Sequence, residues 1–248
     1  MPQHPEKSRP SFFWPLAALV LPPLTAISRF EIIDREKLPT NGAYIIAPNH
    51  YSEIDPVIVA AVAWKLGRAP RFLTKASLFR VPVVGWFLAK SGQIPVERSG
   101  TTRKGAPLEA AQKLIDNGQT VIIYPEGTLT RDPDLWPMRG KTGAARMALE
   151  HDLPVIPVAH WGTQQVMARY SKKISFFPRK TITIKFGDPV DLSAYRGKAV
   201  DSTVAAEATN AIMQAITALL EDLRDEKAPP QRWNPAAHDQ SETGRFEG

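Results

Sequence analysis

Short apolar runs alternate with longer amphipathic segments through the middle of the chain. Continuous apolar or β-branched runs predict strands at 43–48, 93–98, 120–125, 155–161 and 180–190. Apolar residues at helical spacing, bounded by glycine or proline, predict helices at 55–67, 81–92, 107–118, 141–152 and about 201–225. This alternation is typical of an α/β fold, and no internal repeat or linker divides it. We therefore predict a single domain with a mixed, mostly parallel sheet covered by helices on both faces.

The N-terminal residues fall outside this alternation. A polar stretch at 1–10 precedes an apolar run at 11–27, which contains Pro22 and Pro23. A run of about 17 residues is at the lower limit for a membrane-spanning helix, and prolines interrupt a helix. We predict a membrane-associating segment that lies on the bilayer or dips into it. A true span and a buried N-terminal hairpin are the alternatives.

The other end of the chain differs from the middle as well. Residues 226–248 are rich in proline and polar side chains, which predicts a disordered tail. The domain itself is therefore expected to cover 28–225. From Lys227 onward positive and negative side chains balance, so the net charge of +6 belongs to the folded part and favours an anionic partner. Phospholipid headgroups, nucleic acid and phosphorylated substrates all fit that charge.

The chain of 248 residues contains no cysteine. This excludes disulfide scaffolds, thiolate zinc sites and cysteine nucleophiles. Other common site motifs are also missing: there is no G-x-S-x-G, no H-E-x-x-H and no G-x-G-x-x-G. The stretch "RGKTG" at 139–143 resembles a phosphate-binding loop, but Leu135 occupies the place of its first glycine. These missing motifs exclude the commonest hydrolase, metalloprotease and nucleotide-binding functions from the candidates.

Candidate site residues follow the predicted strands. In mostly parallel sheets ligands bind at the carboxyl ends of strands, so the loops after 43–48, 93–98, 120–125 and 155–161 should share one edge. In chain order these loops carry His50, Arg98, Glu126-Gly127-Thr128 and Trp161-Gly162.

The stretch "PNHYSEIDP" at 48–56 places a histidine and an aspartate five residues apart. Asp55 stands before Pro56, which is typical of a helix start, and a structural cap is one interpretation. If the helix begins there, His50 lies on the preceding loop, which can fold back so that imidazole and carboxylate meet. The carboxylate would then fix the tautomer and leave the other ring nitrogen free to take a proton. Both interpretations are open at this point.

Four blocks resemble the glycerophospholipid acyltransferase family, in order. They are "NHYSEID", "KASLFRVPVVGWFLAKSGQIPVER", "YPEGTLT" and "LPVIPVAHWG", and together they cover about 40–165. The resemblance implies the fold of that family and transfer of a fatty acyl group from acyl-CoA or acyl carrier protein to the free hydroxyl of lysophosphatidic acid, which gives phosphatidic acid. It implies that His50 is the general base and Asp55 its orienting carboxylate, with no acyl-enzyme, no cofactor and no metal.

The same resemblance implies an acceptor site. Its residues would be Lys75, Arg98, Glu126, Gly127, Thr128 and Arg131. Guanidinium groups match phosphate oxygens, and a glycine turn lets backbone N–H groups approach; the acidic Glu126 more plausibly orients Arg98 or the loop. Leu129 stands where the family usually has arginine, so Arg131 takes over that contact or the headgroup is held differently. Another lysophospholipid, a glycolipid hydroxyl and a non-catalytic lipid-binding role are the alternatives.

The expected partners are the acyl donor, a lysophospholipid acceptor and an anionic membrane surface at the cytoplasmic face of the cell membrane, with no nucleic acid.

Three further features have two interpretations each. His160 ends a strand near the site and is either catalytic or structural; no carboxylate lies at a sequence spacing that would indicate a catalytic pair. The stretch "YSKKISFFPRK" at 170–180 suits an anionic membrane surface or an exposed hairpin. The apolar stretch at 81–89 suits an acyl-chain groove or the core.

Overall fold

The computed structural model describes residues 6–8, 11–96, 112 and 115–241. Its strands, in chain order, are β1 Ser28–Ile33, β2 Tyr44–Pro48, β3 Leu73–Lys75, β4 Ile94–Val96, β5 Thr120–Ile122, β6 Val155–Trp161 and β7 Lys180–Phe186. Its helices are α1 Phe13–Ile27, α2 Asp55–Lys65, α3 Val84–Lys90, α4 Gly143–Glu150, α5 Thr163–Val166 and α6 Ser202–Arg224. The prediction of a helix at 107–118 falls largely outside the described residues.

Five strands form the main sheet, in the order β1-β7-β6-β2-β5. Every neighbouring pair is parallel except β6 and β7, which are antiparallel. A parallel bridge between Phe72 and Ile122 brings the β3–β4 pair next to β5. The prediction of an α/β domain with a mixed, mostly parallel sheet is confirmed.

Helices cover both faces of the sheet, as the continuous apolar runs predict. On one face α4 and α6 pack on the central strands, with Ala145, Ile212 and Met213 fully buried against Val155. On the other face α2 and the end of α1 pack against the same strands. All five residues of β2 are buried, which is why this strand shows no polar alternation.

The antiparallel pairing of β6 and β7 determines which segments reach the functional edge. Trp161 at the end of β6 pairs with Thr183, near the start of β7. β1 runs parallel to β7, and Ser28 pairs with Lys180. The carboxyl ends of β2, β5 and β6 therefore share an edge with the beginnings of β1 and β7. The end of α1 and the segment that leads into β7 both lie at this edge.

Helix α1 continues through Pro22 and Pro23, so the expectation that the prolines interrupt it is wrong. Both prolines are exposed, and each removes one backbone donor from the helix. Thr25 Oγ1 donates to Leu21 O at 2.8 Å near the end of the helix. Among the residues described, no helix combines the length and apolar character needed to cross a membrane.

The C-terminal tail corrects a second prediction. Residues 226–241 are not a disordered extension, because they pack along the domain and end in a short 3₁₀ helix at Pro235–His238. The ring of His238 stacks on Trp233 with centroids 3.6 Å apart, and Arg139 N donates to Trp233 O at 3.0 Å. Pro235 is buried. A backbone hydrogen bond and the buried Pro235 therefore hold to the domain a segment whose average composition suggests disorder.

Candidate active site

His50 and Asp55 are in contact at the carboxyl edge of the sheet. β2 ends at Pro48, α2 begins at Asp55, and the loop between them folds back as the sequence predicts. His50 Nδ1 lies 3.0 Å from Asp55 Oδ2. A carboxylate only accepts, so Nδ1 carries the proton and Nε2 is left with a free lone pair. Within the described residues, Nε2 has no hydrogen-bond partner.

The carboxylate of Asp55 organises the loop before it. Oδ2 also accepts from Tyr51 N at 2.7 Å and Ser52 N at 2.8 Å, and Oδ1 accepts from Thr163 Oγ1 at 2.6 Å. These donors precede the helix or come from α5, so the interpretation of Asp55 as an ordinary helix cap does not describe its contacts. Burial raises the pKa of Asp55. The imidazoles of His160 and His50 and the hydrogen bonds to the carboxylate lower it by a larger amount, so the net pKa lies below its ordinary value.

The loop after β5 holds the backbone of His50 on both sides. His50 N donates to Glu126 Oε1 at 3.0 Å, and Thr130 N donates to His50 O at 2.7 Å. Glu126 Oε2 accepts from Met138 N at 3.0 Å. Both carboxyl oxygens of this fully buried side chain thus face the protein. The carboxyl group thus positions the loop that carries His50, which agrees with the expectation that Glu126 orients the loop and places its contacts in the protein and not on the acceptor.

Burial raises the pKa of Glu126 to about 8, against the opposing effect of its backbone donors. Near neutral pH this carboxyl group is therefore mostly protonated. A neutral carboxyl group can be buried beside Asp55 without placing two negative charges in one interior.

Gly127 forms the turn that directs Glu126 inward. Its φ of +71° lies in the region that glycine adopts without strain, and Gly127 N donates to Tyr124 O at 3.0 Å. That N–H group is therefore used within the turn. The prediction that the glycine turn offers its backbone donors to a phosphate does not hold for Gly127.

Asn49 and His160 join the His50 loop to β6, a role that sequence reasoning misses. Asn49 Nδ2 donates to His160 O at 3.1 Å, and His160 N donates to Asn49 Oδ1 at 2.9 Å. His160 Nε2 lies 2.9 Å from Asn49 O and 3.9 Å from Asp55 Oδ2. Burial lowers the pKa of His160. His160 is thus a fully buried positioning residue, and its carboxylate neighbour, Asp55, is distant in sequence.

An apolar cavity of about 570 Å³ opens beside His50. Tyr124 stacks against the imidazole, with ring centroids 4.2 Å apart, and both rings line the cavity. Its other walls come from α1, α2 and α3, including Leu16, Val20, Ala60, Trp64, Phe87 and Leu88. The stretch at 81–89 therefore contributes Phe87 and Leu88 to a groove, and the binding of an acyl chain there stays a prediction.

A second cavity of about 480 Å³ lies among the loops at the same edge. Glu53, Thr128, Leu129, Met167, Tyr170, Ser171 and Lys172 line it. Thr128 and Leu129 precede Thr130, whose N–H donates to His50 O, so this cavity adjoins the loop that carries the histidine.

The structure describes the remaining predicted acceptor-site residues to different extents. Arg98 lies outside the described residues, and only the backbone of Lys75 is described, in β3. Arg131 is buried, and its guanidinium group donates to Tyr170 Oη at 2.9 Å. In the described ranges, no cluster of three or more His, Asp or Glu side chains is arranged to hold a metal ion.

The fold and the site define an α/β protein with a histidine–aspartate pair at the carboxyl edge of its sheet, next to an apolar cavity. The Acyltransferase family model matches residues 29–161, which is more than half of the chain. The protein belongs to the acyltransferase family.

Curated relatives and one solved structure agree with that assignment. The chain is 30% identical over 145 residues to the chloroplastic 1-acyl-sn-glycerol-3-phosphate acyltransferase BAT2 of Brassica napus, covering 58% of this chain and 40% of the relative. It is 26% identical over 177 residues to the human 1-acyl-sn-glycerol-3-phosphate acyltransferase beta, covering 71% and 61%. The matches therefore span less than two thirds of these relatives.

The crystal structure of the 1-acyl-sn-glycerophosphate (LPA) acyltransferase PlsC from Thermotoga maritima has a similar fold. Its TM-score is 0.61 at 22% sequence identity, with 87% of this chain and 80% of that chain covered. At this identity the similarity supports the fold alone.

Proposed function

We propose that the protein transfers a fatty acyl group from a thioester to the free hydroxyl of lysophosphatidic acid, which yields phosphatidic acid. The observation that carries the proposal is the His50–Asp55 pair: His50 lines an apolar cavity, and no described residue is a partner for its Nε2. The names of the curated relatives supply the substrate class.

The chemistry requires one base and no protein nucleophile. His50 Nε2 takes the proton from the acceptor hydroxyl while its oxygen attacks the thioester carbonyl carbon. The tetrahedral intermediate then collapses, the carbon–sulfur bond breaks, and the imidazolium returns the proton to the leaving thiolate. Asp55 stabilises the imidazolium through the 3.0 Å contact with Nδ1. General-base catalysis of this kind contributes about 10²–10⁴-fold.

The apolar cavity suits the acyl chain of the donor. Its described walls are almost entirely apolar, and the ring of His50 forms part of its wall. A chain that extends between α1 and α2 would leave its thioester carbonyl beside Nε2. The donor is acyl-CoA or acyl carrier protein, since both present the same thioester.

The second cavity suits the acceptor headgroup. Thr128 and Lys172 supply polar atoms there, and Arg98 is retained as the guanidinium that binds the phosphate. Leu129, which stands where the family usually has arginine, is buried and lines this cavity. That observation favours a second candidate, in which the acceptor is another lysophospholipid or a glycolipid whose headgroup needs less positive charge.

Helix α1 is the proposed membrane contact, at the cytoplasmic face of the cell membrane. Trp14 and Leu19 on this helix are 49% and 74% exposed, and Leu16 and Val20 line the apolar cavity. One helix would thus contact acyl chains of the bilayer on one side and the bound donor on the other. A helix with exposed apolar residues on one side is suited to lie in the membrane interface.

Incubation of the purified protein with labelled acyl-CoA and a panel of lyso-lipids tests the proposal. Labelled phosphatidic acid is the expected main product. A different acylated lipid would instead support the second candidate. Vesicle binding without consumption of any thioester would indicate a non-catalytic lipid-binding protein and would contradict the proposal.

A further inference from the structure

The segment 171–179, which leads into β7, ends in an exposed aromatic tip. Phe176 is 60% exposed and Phe177 is 89% exposed. Exposed phenylalanines are costly in water, and two adjacent ones form an apolar patch that solvent does not favour. Neither side chain belongs to a core cluster or to either cavity of the site.

The loop that presents this tip is held firmly at its base. Ser171 N donates to Ala168 O at 2.9 Å, and Ser175 N donates to Val166 O at 2.8 Å. Lys180 Nζ, at the start of β7, donates to Ser175 Oγ at 2.6 Å. The aromatic tip therefore projects from an anchored base.

Cations lie on both sides of the tip. Lys172 and Lys173 precede the phenylalanines, and Arg179 follows them. All three side chains are exposed, and within the described residues none of them forms an ion pair. Arg179 donates only to a backbone carbonyl, Ser28 O, at 3.2 Å. The loop thus combines two apolar side chains with three positive charges for which the described residues supply no ion-pair partner.

The position of the loop in the sheet places this surface beside the site. Lys180 and Ser28 are paired, so the loop enters the sheet next to the end of α1. This is the edge that carries His50. The base residues Ser171 and Lys172 also line the second cavity.

We propose that loop 171–179 is a membrane-docking surface for an anionic bilayer. Phe176 and Phe177 insert at the level of the headgroups, where aromatic rings are favoured, and the three cations contact lipid phosphates. An apolar tip flanked by unpaired cations matches the layering of such a bilayer, which presents negative charge above apolar chains. Together with α1, the loop turns the edge with His50 toward the membrane.

Because the chain contains no cysteine, a single introduced cysteine labels one position only. We expect full-length Phe177→Cys, carrying an environment-sensitive dye such as NBD, to become brighter and shift to shorter wavelength with vesicles that contain phosphatidylglycerol. Pure phosphatidylcholine vesicles should give a smaller change, and added salt should reduce the response. The matched control is Ile33→Cys, at the opposite end of β1 and 38% exposed. An unchanged dye at 177, or an equal response at 33, would overturn the proposal.

The double variant Phe176→Ser, Phe177→Ser tests the contribution of the tip. We expect its affinity for anionic vesicles to fall at least about tenfold, with the Ile33→Ser control unchanged. Turnover of a vesicle-borne acceptor should fall while turnover of a short-chain acceptor in free solution stays the same. Vesicle binding needs no acyl transfer, so this arm decides the proposal even if the proposed function fails. Unchanged vesicle binding with impaired use of an acidic acyl carrier protein would instead make the loop a protein-docking surface.

Discussion

Asn49 and His160 exchange three hydrogen bonds although they are 111 residues apart. The side chain of Asn49 pairs with the backbone N–H and C=O of His160, much as a neighbouring strand would. The imidazole of His160 returns a hydrogen bond to the backbone of Asn49. The residue immediately before the proposed base is thereby fixed to a central strand, which keeps the His50 loop in register with the sheet.

Replacing Asn49 by Asp should damage this pairing with almost no change of shape. The new carboxylate oxygen faces His160 O, so the hydrogen bond from Nδ2 is lost and a buried negative charge lies against a carbonyl oxygen. We expect the free energy of unfolding to fall by about 1–3 kcal/mol and kcat to fall at least about tenfold. Urea denaturation and steady-state kinetics measure both. Asn41→Asp, in an exposed turn, makes the same chemical change and should leave both values unchanged.

Removal of the proposed base should abolish most of the acyl transfer. We expect His50→Ala to lose at least about a hundredfold in rate with the fold intact by circular dichroism. His151→Ala, at the end of α4, is the matched control and should keep the full rate. A rate for His50→Ala close to that of the control would contradict the mechanism.

We expect Asp55→Asn to lower the rate of acyl transfer at least about a hundredfold as well. The amide can keep the shape of the site, because its oxygen can still accept from His50 Nδ1 and its NH2 group can donate to Thr163 Oγ1. It carries no negative charge, however, so it no longer stabilises the imidazolium that forms when Nε2 takes the proton. A pH–rate profile that keeps its shape and height in this variant would rule out the pairing as the source of activity.

Glu126 should make stability depend on pH. Its pKa rises from an ordinary 4.5 to about 8 on folding, so between these values the folded protein binds more protons than the unfolded chain. The free energy of unfolding should therefore fall as the pH rises from about 5 to about 8. Glu126→Gln cannot titrate and should lack this part of the decline in urea denaturation series. Curves of equal slope for the two proteins would show that Glu126 does not titrate in this window.

Filling the apolar cavity should shorten the preferred acyl donor. Ala60 lines the cavity on α2, about one helical turn beyond Pro56 and Val57. We expect Ala60→Leu to lower kcat/KM for long-chain acyl-CoA while sparing short-chain donors. Ala206→Leu on the exposed face of α6 adds the same volume and should change neither. Equal losses for long and short donors would place the acyl chain elsewhere.

Much of the fold follows from local pattern alone. The apolar run at 155–161 coincides with β6, and the helix predicted to open at Asp55 begins there. Strand direction does not follow from such runs, because a buried strand is apolar whichever way it runs. The sequence therefore does not predict that β6 and β7 are antiparallel, although this pairing brings loop 171–179 to the edge with His50.

Some contacts of the candidate site also follow from local sequence, whereas others do not. Asp55 lies five residues from His50, so chain geometry could predict their contact, and the contact is present. Thr163 and His160 reach the same carboxylate from more than a hundred residues away, and nothing in their local sequence indicates it. Gly162 is a partial signal: a Cβ there would lie 2.3 Å from Thr181 O, so only glycine lets α5 start directly after β6. The catalytic roles of His50 and Asp55 stay predictions.

The four hydrogen bonds that converge on Asp55 all come from groups of the protein itself. The fold therefore holds the base in place, and none of these contacts is supplied by the acceptor. A donor thioester that enters the cavity first would meet an activated imidazole with only solvent to deprotonate. Slow release of free fatty acid in the absence of acceptor is the expected side reaction, and the order in which the two lipids bind would then govern how much donor is wasted.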